Sequence, residues 1–215
     1  MSDARADIPP LRRQVGDELR AVVDTLLSHD APDDELREAL DLLRQARGHL
    51  QGPALDVYNP AEFRRRQAID GWDAYLDLTM FGGGTNPLGM PMPLELGRDD
   101  EGNAYAEGVV RLNRAYVGGP GMVHGGYVAA LIDHVFGAAL HAGGTVAVTA
   151  SLTVRYREPT PIDRDLRFRA TFDRPRGRRL HGRATCHCGD LCTAEAEGLF
   201  LLVDLGAMEE RAAQH

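Results

Sequence analysis

The chain has 215 residues, enough for one domain with a sizeable core plus an extension, and its formal net charge of −8 argues against general nucleic-acid binding. No apolar run reaches membrane-spanning length, and the start, Met1-Ser-Asp-Ala-Arg-Ala-Asp, has no hydrophobic signal region, so a cytoplasmic protein with no membrane contact is expected.

In chain order, residues 8 to 29 place apolar side chains at 11, 15, 19, 22, 23, 26 and 27, the stripe of a helix. A second helix is predicted to start at Pro32-Asp33-Asp34-Glu35, with Leu36, Ala39, Leu40, Leu43 and Ala46 continuing a stripe until Gly48. Residues 1 to 50 are therefore read as an N-terminal helical hairpin whose stripe must be buried on something, either as a stabilising or oligomer-forming appendage or as a lid over a pocket. Residues 51 to 71 read as a linker with a solvated basic turn at Arg64 to Arg66. Phe81-Gly-Gly-Gly-Thr-Asn86-Pro-Leu-Gly89 is a loop suited to a pocket mouth, where Asn86 fits a turn before proline and also a ligand contact. Strands are expected over Met92 to Gly97 and Ala104 to Asn113, joined by a turn at Asp99 to Asn103.

The most informative stretch begins at His124-Gly125-Gly126. It opens an almost wholly apolar helix, with apolar residues at 128, 131, 132, 135, 136 and 139 and a single carboxylate, Asp133. The first turn of a helix leaves backbone N–H groups unpaired at the positive end of the macrodipole, and glycines there let a ligand oxygen come close. Asp133 lies seven residues after Gly126 on the same face, with Ala130 and Gly137 leaving space beside it. A buried acid capped by a neighbouring hydroxyl and a close helix crossing would explain the same residues without chemistry, but a carboxylate in apolar surroundings is costly enough to need a reason.

Gly143-Gly144 ends that helix, and four alternating runs follow near 145 to 157, 164 to 174, 178 to 188 and 191 to 204. One helix followed by a meander gives an α+β class. Cys186, Cys188 and Cys192 surround a Gly189-Asp190 hairpin turn, their spacing fits no standard zinc site, and no metal is assigned.

The His-Gly-Gly helix with its acid nine residues after the histidine resembles the hotdog-fold acyl-CoA thioesterases of the phenylacetate-pathway (PaaI) type. Thr145 to Pro161 resembles that family's next strand, with a hydroxyl near its start and a basic-proline end; Asp173 to Leu180 resembles its hairpin, and Ala194 to Val203 its last strand. The resemblance covers about residues 72 to 204, giving a hotdog domain over 72 to 205 and a tail over 206 to 215. It implies a long central helix wrapped by a curved antiparallel sheet, an acyl-CoA substrate, no cofactor, and a homodimer or a dimer of dimers.

The corresponding chemistry is thioester hydrolysis. The Gly126 N–H, with Gly125 beside it, suits the developing oxyanion, Asp133 suits a general base or nucleophile, and Thr149 suits orientation of the water or the acid. His124 suits either a substrate contact or a bond to the backbone at the helix start. Family members often carry Asn six residues before this histidine, where Gly118 stands here, which keeps a non-hydrolytic ligand-binding protein as the alternative. Seven residues separate Gly126 from Asp133 by roughly 10 Å of helix, too far for both to act on one carbonyl, so a two-fold dimer must complete each site. Arg155 and Arg157 on one strand face, and Arg176 and Arg178 among the arginines of a hairpin, are candidates for coenzyme A phosphates or simply solvated. Tyr127, Met80, Phe81 and Phe136 are expected to set pocket depth.

Overall fold

The computed structural model describes residues 10–52 and 81–203. Two N-terminal helices, α1 (Pro10–Ser28) and α2 (Asp33–His49), precede β1 (Leu94–Arg98) and β2 (Ala104–Arg111). A 3-10 turn (Arg114–Tyr116) and a short hairpin of β3 (Val117–Gly119) and β4 (Met122–Val123) lead into α3 (Gly125–Ala142). Then follow β5 (Ala147–Tyr156), β6 (Asp165–Phe172), β7 (Arg179–Cys188) and β8 (Leu191–Leu202). The α2 helix runs through Gly48 into its last turn, one residue past the stop its glycine suggests.

Strands β1, β2, β6, β7, β8 and β5 form, in that order, one antiparallel sheet, and α3 lies across one of its faces. Alternation along the strands sets the core: Leu166, Phe168, Ala170 and Phe172 of β6 point to the helix and are buried, while Arg167 and its neighbours point away. The helix answers with Val128, Leu131, Ile132, Val135, Phe136 and Ala139, each fully buried. Phe136, Phe172 and Phe200 meet with ring centroids 5.0–5.4 Å apart. Gly182 and Gly198, paired across β7 and β8, make room for them, since a Cβ would lie 2.6 Å from Phe136 at the first and 2.4 Å from Phe200 at the second. Phe136 therefore belongs to the core and not to an acyl pocket; Met80 and the linker lie outside the described residues.

The α1 helix docks through Gly16, whose missing side chain lets Gly84 and Thr85 approach, and through Arg20, which donates to the Asn86 and Gly84 carbonyls at 2.6 and 2.8 Å. No residue of α2 is buried. The Cys188-to-Leu191 turn is the expected two-residue hairpin with Gly189 at φ 59°. Cys186 is a buried filler, and burial raises its thiol to about 11, so it stays protonated and inert.

One irregularity in the sheet decides which positions of β5 face the helix. The β5–β8 register shifts between Thr149 and Ser151, a β-bulge that leaves Ala150 as the extra residue. Before the bulge the odd positions Ala147 and Thr149 face α3; after it the even positions Leu152, Val154 and Tyr156 do.

Candidate active site

The N-terminus of α3 is built by its own capping residue. His124 has extended backbone angles (φ −62°, ψ 129°), and its Nδ1 accepts from the Gly126 N–H at 3.0 Å. The histidine is thus a helix cap, and the amide assigned to an oxyanion is held by it in this structure. Space for the ring comes from Gly118: a Cβ there would lie 2.6 Å from the His124 Cα and 3.0 Å from its ring.

Tyr156 closes the same end from the strand side, donating its hydroxyl to the Gly125 carbonyl at 2.7 Å. A Cβ at Gly125 would come within 3.1 Å of that ring. His124, Gly125 and Tyr156, with Met122, Val123 and Thr160, line an open cleft of about 480 Å³ at the helix start. Sequence reasoning missed Tyr156. It lies an odd seven residues from Thr149, which on a regular strand puts the two on opposite faces, and only the bulge at Ala150 turns both toward the helix.

Two helical turns on, the Thr149 hydroxyl donates to Asp133 Oδ1 at 2.9 Å. Gly126 and Gly137 are exposed and Ala130 and Asp133 half-buried, so this line of small residues is the open face of a helix otherwise covered by the sheet. The structure brings together His124, Gly125 and Gly126 in one group and Asp133 and Thr149 in another, with the length of helix between them keeping the groups apart.

His134, next to the acid, was not anticipated either. Its Nε2 is buried without a hydrogen-bond partner, its ring stands 5.6 Å from Phe81, and burial pushes its pKa down to about 4, so it is neutral at pH 7.

Three further sets of candidate residues lie outside these two groups. Asn86 serves its own loop, with Oδ1 accepting from the Leu88 N–H at 2.9 Å and its carbonyl from the Gly89 N–H at 2.8 Å, the bonds of a turn residue. Arg155 and Arg157 share a strand face as expected and pair across β8 with Glu197 at 3.0 Å and Glu195 at 2.8 Å, and Arg157 also lines the cleft at the start of α3. Arg176 and Arg178 lie on the exposed β6–β7 hairpin beside the other end of β5, where the Arg178 carbonyl accepts from Leu202; the four arginines do not converge within one chain. Among the described residues no group of His, Cys, Asp and Glu is placed to hold a metal ion, and no helix is long and apolar enough to cross a membrane.

A family model described as the thioesterase superfamily matches residues 120–195, from just before the cap to the start of β8. Acyl-coenzyme A thioesterase THEM4 of Bos taurus is 31% identical over 106 residues, 48% of this chain and 39% of that protein. Acyl-coenzyme A thioesterase THEM5 of Homo sapiens is 30% identical over 99 residues, 45% of this chain and 39% of that protein. The chain thus matches well under half the length of these curated relatives. A crystal structure of a thioesterase superfamily protein superposes with a TM-score of 0.71 at 31% identity, covering 88% of this chain and 94% of that one.

Proposed function

This chain belongs to the thioesterase superfamily, and from that premise we propose that it hydrolyses acyl-CoA thioesters to the free acid and coenzyme A in the cytoplasm, with two chains sharing each site. The observation that carries the reading is the open face of α3: a carboxylate oriented by Thr149 and, two turns upstream on the same face, a glycine amide at the helix start. The names of the two curated relatives point to the same substrate class.

Asp133 takes a proton from water as the water oxygen attacks the thioester carbonyl carbon. The carbonyl oxygen, now negative, takes the Gly126 N–H of the second chain from its histidine cap. Collapse breaks the carbon–sulfur bond, and the thiolate leaves with the proton that Asp133 held. Direct attack by Asp133 through a mixed anhydride uses the same two groups.

The two-chain site follows from distance, since roughly 10 Å of helix separates Gly126 from Asp133. Antiparallel α3 helices about a two-fold axis bring each amide to the other chain's acid. Beside that open face β5 is an edge strand, with Val148 39% exposed, and an unpaired edge of this length is a ready surface for a second copy.

The test is thiol release from a panel of acyl-CoAs. Asp133→Ala should abolish turnover while binding persists, and mixing it with Gly126→Pro should restore part of the activity through hybrid dimers with one intact site. Hybrids as inactive as their parents would reject the shared site. The non-hydrolytic alternative is favoured by one observation, the amide already occupied by His124 beside Gly118; coenzyme A binding with no thiol release at any chain length would establish it.

A further inference from the structure

The α2 helix has no function in that reading and no cover among the described residues. Leu36, Leu40 and Leu43 form one stripe, yet they are 39%, 46% and 42% exposed, and no residue of the helix is buried. A 17-residue helix without tertiary packing is marginal in water, because most helical stability comes from burying the apolar face. Its charges are sorted along its length. Asp33, Asp34, Glu35, Glu38 and Asp41 fill the first part, Arg44, Arg47 and His49 the second, and Arg37 alone breaks the order.

We propose that α2 is a self-association surface that pairs antiparallel, about a two-fold axis, with α2 of a second copy of this chain. Antiparallel pairing sets the acidic half of one helix against the basic half of the other and opposes their macrodipoles, whereas parallel pairing sets like charge on like. An anionic lipid surface is a poor occupant, since five acids outweigh three arginines on this helix. Leu26 and Leu27, exposed at the end of α1, which a four-residue link joins to α2, extend the apolar surface. One helix pair is smaller than the ~1,200 Å² of a standard stable interface, so the association is concentration-dependent and joins units already formed elsewhere. The inference does not rest on the catalytic reading, and none of these residues touches the candidate site.

Sedimentation of the full chain over a concentration series tests it. Leu36→Glu/Leu40→Glu/Leu43→Glu should halve the largest assembly while thiol release and the melting temperature of the domain stay as in the wild type. Arg44→Glu/Arg47→Glu keeps the stripe and the helix, and should halve the assembly through self-repulsion. Asp33→Arg/Asp34→Arg should do the same alone and restore the full mass when mixed with it. A mass unchanged by the leucine and charge variants overturns the proposal; an unchanged mass with a lowered melting temperature assigns the stripe to another segment of the same chain.

Discussion

At the scale of single residues, the acid and its orienting hydroxyl are the most exposed to test. Thr149→Val removes the hydrogen bond to Asp133 and should lower kcat about tenfold, near the ~1.5 kcal/mol of a bond to a charged group, with Thr149→Ser restoring most of it. Steady-state kinetics on the three proteins checks this. His134 makes a second prediction. Its folded pKa of about 4 lies below its ordinary 6.5, so between those values the unfolded chain binds a proton that the folded chain refuses. Stability is therefore full above pH 6.5 and falls as the pH drops toward 4, and His134→Leu should flatten that slope in urea unfolding curves. The place of Asp133 on its helix and the capping alternative for His124 were legible in the sequence because helical spacing and helix-start chemistry are local. His134 was not, since whether a histidine on an apolar helix finds a partner depends on what packs over it.

At the scale of elements, the four strands after α3 lie within a few residues of the runs their alternation predicts, and α3 itself begins and ends where its glycines indicate. The bulge in β5 was invisible, because Ala150 and Ser151 carry no signature and only pairing with β8 exposes the shift. A shared face such as that of Arg155 and Arg157 is readable from a period of two, but which face is toward the helix depends on a parity that the bulge reverses. Deleting Ala150 should therefore leave Thr149 or Tyr156 facing away from α3, lowering thiol release by at least tenfold, with an altered β5–β8 register visible by NMR. A milder perturbation tests the core. Gly182→Ala pushes a methyl into Phe136 and Phe172 and should cost about 1–3 kcal/mol in urea unfolding, the usual range for overpacking.

At the scale of the whole molecule, the proposed site is complete only where two chains meet, so the proposal links activity to assembly. Specific activity should fall on dilution in parallel with loss of the dimer, and the melting temperature should fall with it; a turnover number constant through dissociation would contradict the two-chain site. The same logic gives the His124 cap a meaning beyond helix termination. An amide that already has a partner is a poor ligand for a neutral thioester oxygen, which gains little by trading one acceptor for another. An oxygen bearing full negative charge makes the stronger bond and wins the exchange. In the proposed reaction the cap thus subtracts affinity from the ground state while leaving the transition state able to claim the amide, so a neutral carbonyl analogue should bind weakly where a charged tetrahedral mimic binds tightly.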